Sequence, residues 1–136
     1  MIFEMRASDL SEILDMERQY FGRMAWNPSD FTSALDSAYD LPLVFREEGR
    51  TIAYSVLRIL GPEAEIENLC VLESARRRGI GAMLLDQMLA LSLERGVSSV
   101  YLGREISRRE SSMRGGASSG RESAGIIIDI RVRTGS

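Results

Sequence analysis

Glu65-Ile66-Glu67-Asn68-Leu69-Cys70-Val71, then Arg76-Arg77-Arg78-Gly79-Ile80-Gly81, then a run to Gly96: this stretch decides the fold. Ile66, Leu69, Cys70 and Val71 suit a buried strand. Ile80, Leu84, Met88 and Leu91 recur at helical spacing, Leu85 and Leu89 widen the stripe, and Asp86 and Glu94 fall outside it. Gly96 after Arg95 is a helix stop. Two glycines at the start of the helix let a ligand approach the backbone and leave N–H groups pointing outward. That suits a phosphate, and three arginines add positive charge. Taken alone, the loop reads equally well as a glycine-started helix with solvated arginines. It has neither G-x-G-x-x-G nor G-K-[ST].

The surroundings favour a ligand. An expected strand at Ser98–Leu102 completes a βαβ unit with the loop at the carboxyl end of its first strand. Three segments, Ala64–Val71, Arg76–Leu85 and Glu94–Val97, resemble the GNAT superfamily of acetyl-coenzyme A-dependent N-acetyltransferases. The closest likeness is to the RimI-type ribosomal-protein alanine N-acetyltransferases. The resemblance implies an α/β GNAT fold, a mixed sheet with flanking helices, over residues 1–102, covering strands one to five and three helices. It implies acetyl-CoA as co-substrate, no metal, and a protein or peptide N-terminus as acceptor. A small-molecule amine is the alternative acceptor. It assigns pantetheine contacts to the backbone of Leu69, Cys70 and Val71, where strands four and five splay. The pyrophosphate falls to Arg76, Arg77, Arg78, Gly79, Ile80, Gly81 and Ala82.

Composition narrows the chemistry. The 136 residues are 44% hydrophobic and 27% charged, enough for one domain with its own core. No histidine is present, which excludes Ser-His-Asp and Cys-His catalysis and H-E-x-x-H zinc sites. The single cysteine, Cys70, permits no internal disulfide, and it reads as a buried strand thiol. A cytoplasmic setting and a monomer are expected. The start has no signal-peptide pattern, and no apolar run reaches membrane-spanning length. All 17 basic residues are arginine. Residues 1–102 hold 10 of them against 16 acids, whereas residues 103–136 hold 7 against 4. An acidic body argues against direct nucleic-acid binding and admits a basic peptide.

Upstream, Ile2, Phe3 and Met5 suit a strand. Ser8-Asp9-Leu10-Ser11 opens a helix that Gly22 ends, and a second helix spans about Ser29 to Ser37. Trp26, between them, resembles a tryptophan that RimI-type enzymes set beside the peptide groove; a loop residue closing the core edge is the plain alternative. Leu43–Phe45 and Thr51–Leu57 are strands about the charged turn Glu47–Arg50, which reads as solvated.

Acetyl transfer from a thioester needs a base for the amine proton and an acid for the leaving thiolate. The resemblance places a glutamate base just after strand five and a tyrosine acid in a later motif. Gly103 stands at the base position and the later motif is missing, so transfer at no more than about a thousandth of an intact relative's rate is expected. Glu67 on strand four is a candidate base, since other GNAT enzymes place a carboxylate there. Otherwise it is a polar residue on an exposed strand face. Residues 103–125 are rich in Ser, Arg, Gly and Glu and are expected to be disordered, with a strand at 126–132. The tail also permits a frameshift reading: with codons shifted by one base, Ile126–Ile130 allows Tyr-Tyr-Arg-Tyr and Gly116-Ala117-Ser118 allows Gly-Phe. A CoA-binding remnant or partner surface without catalysis is the rival reading.

Overall fold

The structure, a computed structural model, describes residues 1–103 and the backbone of a short strand at Ile127–Asp129. The elements run β1 (Ile2–Glu4), α1 (Leu10–Phe21), α2 (Pro28–Asp36), β2 (Asp40–Glu47), β3 (Arg50–Leu60), β4 (Glu63–Val71), α3 (Ile80–Glu94), β5 (Ser99–Leu102) and β6 (Ile127–Asp129). They form one mixed sheet in sequence order, antiparallel except for β4 and β5. The GNAT fold expected from the sequence is the one observed, with β4–α3–β5 as its parallel unit. The disorder and the frame origin expected of the tail concern residues outside the described ones. Among the described residues, no helix is long and apolar enough to cross a membrane.

Helices cover both faces of the sheet. On one face α3 packs Ile80, Leu84 and Met88 against Leu57, Ile66 and Val100, all buried. Its fully buried stripe continues to Ser92, since four-residue steps keep to one face, with the expected Leu91 half-buried beside it against the same core; the Ser92 hydroxyl donates to the Met88 carbonyl at 2.8 Å. On the other face α1 and α2 bring Ile13, Met16 and Phe31 against Val44, Tyr54, Val56 and Cys70. Asn27 starts α2 as a capping box with Asp30, followed by Pro28 at the first helical position.

The β2–β3 hairpin turns on Glu48 and Gly49, both at positive φ, as a tight two-residue turn requires. A buried ion pair ties this hairpin to the entry of α1. Arg46 donates through Nε and Nη2 to the two oxygens of Asp9, each at 2.9 Å, and Thr51 adds a hydroxyl at 2.9 Å. Burial alone would raise the Asp9 pKa. The Arg46 guanidinium, the Arg6 amide and the Thr51 hydroxyl outweigh it and hold the group at about 2. A depressed carboxyl stabilises the fold above its unfolded pKa and loses that contribution as pH falls through the folded value. Asp9→Asn is therefore expected to cost about 2–3 kcal/mol at pH 7. In urea titrations the gap to the unmodified chain should close as pH falls from about 5 toward 2. An unchanged gap at low pH would refute the role of the pair.

Candidate active site

The site is built by an irregularity in β4. Ile66 pairs with Leu57 of β3 and Asn68 pairs with Val56, so Glu67 between them has no opposite residue. It is the extra residue of a bulge, which re-aims a side chain and breaks the alternation of faces. Ile66 accordingly packs on the α3 side, while Asn68 and Cys70 face α1 and α2. The parallel ladder to β5 ends one step earlier, at Ile66 opposite Leu102, with the Gly103 amide donating to the Ile66 carbonyl at 3.0 Å. Beyond that rung, Glu67 to Val71 have no pairing strand on the β5 side among the described residues.

The backbone of this free stretch has a definite polarity. The Leu72 amide donates to the Ile52 carbonyl at 2.8 Å. Antiparallel pairs alternate, so Cys70 exchanges its bonds with Tyr54, while Leu69 and Val71 direct theirs away from β3. Of the three residues assigned to pantetheine, Leu69 and Val71 thus present backbone groups to the free edge. The Cys70 backbone is taken up by β3 and its thiol is buried. The Val71 carbonyl already accepts from Arg76 Nε at 2.9 Å.

Glu67 is only half-buried, and it faces a pocket of about 520 Å³ enclosed by α2, the loop between α1 and α2, and the ends of β2 and β3. The pocket wall carries three carboxylates, Asp30, Asp40 and Glu67, with Arg23, Arg58 and Trp26. Burial raises the Glu67 pKa first, and the neighbouring Asp40 adds to this; Arg58, whose Nη1 is 3.5 Å from Glu67 Oε2, pulls the other way. The result is a carboxyl at about 7, able to exchange a proton near neutral pH. Trp26 lines the pocket and packs on Phe31 with ring centroids 5.0 Å apart.

The glycine loop forms the other half. Arg77 and Gly79 both have positive φ, at 68° and 80°, alternating with ordinary residues in the manner of a backbone nest. Gly79 caps α3 without a side-chain bond, leaving the first amides of a fifteen-residue helix directed outward, with Ile80 buried beneath them and Ala82 exposed. The three arginines are differently employed. Arg76 braces the Val71 carbonyl and lies 4.7 Å over the Tyr20 ring. Arg77 is exposed. Arg78 forms a two-bond ion pair with Glu47, so the β2–β3 turn is not merely solvated at that residue. A Cβ built on Gly81 meets only Val71 Cγ2, at 3.7 Å, so the backbone there is open to close approach. The protein itself does not demand glycine there.

The acetyltransferase (GNAT) family model matches residues 8–114. The chain belongs to the GNAT family. Sequence comparison with curated proteins finds no match. Among solved structures, the ribosomal-protein-S18-alanine N-acetyltransferase of Escherichia coli superposes with a TM-score of 0.71 at 18% identity, over 96% of this chain and 94% of that one. An aminoglycoside 6'-N-acetyltransferase from Acinetobacter haemolyticus gives 0.68 at 17% identity, over 89% and 93%. A third, an aminoglycoside 6'-N-acetyltransferase complexed with coenzyme A, gives 0.66 at 18%, over 76% and 61%. These likenesses show the fold.

Within this GNAT domain, sequence reasoning missed Asp40, Arg58, Glu17 and Asn68. Asp40 and Arg58 lie at strand ends with nothing in their spacing to link them to Glu67. Glu17 fell on the apolar face of a helix, and that carboxylate among Ile13, Met16 and Tyr20 was the available signal. Gly103 has a structural reason of its own. A Cβ there would lie 3.0 Å from the Ile66 carbonyl oxygen and 2.9 Å from Glu65 Oε2.

Proposed function

We propose that this chain moves the acetyl group of acetyl-CoA to a protein N-terminal α-amine, of the ribosomal-protein alanine type, with Glu67 as general base. The observation that carries the reading is the place of Glu67: the bulged residue, one step past the last β4–β5 rung, with a carboxyl at about 7 facing a pocket. CoA would lie along the free edge, its pyrophosphate on the amides of Arg78 to Ala82 and its pantetheine against Leu69 and Val71. That puts the thioester beside Glu67. The α-amine of a peptide ionises near 7.7–8.0, within about a unit of Glu67, whereas a lysine ammonium lies near 10.4. Proton transfer to Glu67 is therefore far easier from an α-amine. Asp40 and Asp30 attract the incoming ammonium. Glu67 takes one proton from the ammonium and passes it to solvent; the neutral nitrogen then bonds to the acetyl carbon, the carbon–sulfur bond breaks, and the second nitrogen proton ends on Glu67 as the CoA thiolate leaves. Among the described residues, the pocket lining includes no tyrosine to protonate the thiolate. Transfer is expected to be slow for that reason.

A polyamine acceptor is the second reading. The three wall carboxylates favour it, and aminoglycoside acetyltransferases are among the structural neighbours. Incubation of the full chain with acetyl-CoA and either an alanine-leading peptide, the same peptide with a blocked terminus and an internal lysine, or an aminoglycoside separates the readings by mass spectrometry. Acetylation confined to the free α-amine is expected. Acetylation of the aminoglycoside alone would overturn the proposal. CoA binding without transfer to any acceptor would leave a binding remnant.

A further inference from the structure

Glu17 lies on α1 with none of its surface exposed, between the helices and the sheet. Its Oε1 accepts from the Tyr54 hydroxyl of β3 at 2.8 Å and from Asn68 Nδ2 of β4 at 2.9 Å. Its Oε2 accepts from the backbone amide of Trp26 at 2.7 Å. The three groups are donors, and they approach both oxygens. A carboxylate can accept on each oxygen, whereas an amide of the same shape must present a donor on one side.

Of the bonded groups, Trp26 lines the pocket itself, and Asn68 is the chain neighbour of Glu67, which also lines it. Trp26, with Met24 and Ala25, is on the segment between α1 and α2 that walls the pocket. Asn68 follows the bulged Glu67 directly. One carboxylate therefore spans from the loop in the pocket wall to the strand that carries Glu67. We propose that Glu17 is a positioning residue: it locks the loop bearing Trp26 against β4 and so sets the width of the pocket at Glu67. Its consequence for an acceptor rests on the reading of this pocket as the amine site. The lock itself does not.

Trp26 is the single tryptophan of the chain, so its fluorescence reports the loop directly. In Glu17→Gln the amide nitrogen must face either the Trp26 amide or the Tyr54 and Asn68 donors, and one attachment is lost. Acrylamide quenching of Trp26 is expected to increase. Affinity for an alanine-leading peptide should fall about tenfold or more, as for a lost hydrogen bond to a charged group. Affinity for CoA should be unchanged. Tyr54→Phe removes a donor from Oε1 and leaves the loop bond, so its quenching should match the unmodified chain. A wild-type measurement guards against a variant that fails to fold: the Trp26 amide should exchange with solvent as slowly as helical amides of α2. Rapid exchange of that amide, unchanged quenching in Glu17→Gln, or parallel loss of CoA and peptide affinity would each overturn the proposal. If the unmodified chain binds no peptide, the acceptor reading fails, and the Trp26 readouts still decide whether Glu17 holds the loop.

Discussion

Glu67→Gln is expected to lower acetyl transfer by about 10²–10⁴-fold and to abolish a rise in rate with pH centred near 7. A base must be deprotonated to act, and burial, followed by Asp40, holds the Glu67 proton up to about 7. The rate should therefore climb as pH rises through that value and level off above it. Asp40→Asn removes the neighbouring like charge and should move the rise to lower pH, since the glutamate then ionises more readily. A profile that keeps its shape in Glu67→Gln would remove the residue from the chemistry. Gly103→Glu, which restores a glutamate after β5, is expected to recover little. Its Cβ must push on the Ile66 carbonyl, part of the rung that closes the ladder, and its carboxylate would start beside that of Glu65. Recovery approaching that of an intact relative would show the base belongs at position 103.

The second large effect is on cofactor affinity. Gly81→Asp is expected to weaken CoA binding by of order 100-fold, through repulsion of the pyrophosphate and loss of close backbone approach. The fold should tolerate the change. The added Cβ meets Val71 Cγ2 at an ordinary 3.7 Å, and an acid in the first turn of α3 is favourable to the helix dipole. Gly79→Asp should weaken binding too, but with a loss of stability, because φ is +80° there and a side chain costs roughly 1–2 kcal/mol. Calorimetric titration with CoA and thermal unfolding of both variants separate the two effects. Unchanged affinity in Gly81→Asp, with the fold intact, would dismiss the loop as the phosphate site.

Much of the fold was legible because its signals are local. The apolar spacing of α3, the stop at Gly96, and the turns at Glu48-Gly49 and Gly61-Pro62 each depend on a few neighbouring residues; the capping box at Asn27, which starts α2 one residue earlier than expected, was not read. The glycine loop was legible for the same reason. The strands were longer than their apolar runs suggested: β2 extends to Asp40 and β3 to Leu60. Sheet pairing sustains polar residues that propensity alone would end on.

By itself the sequence determined the order of elements, the glycine-led start of α3 at Gly79 to Gly81, and the exclusion of histidine-based chemistry. These follow from residue types and short spacings. Tertiary structure decided everything that depends on register. A bulge leaves the composition of β4 untouched, yet it turns Glu67 toward a pocket and moves Asn68 and Cys70 to the face of α1 and α2. Asp40 and Arg58 meet Glu67 only because β2, β3 and β4 align their ends, and Glu17 meets Asn68 across fifty-one residues. Long-range pairing sets such distances, and no local periodicity encodes them.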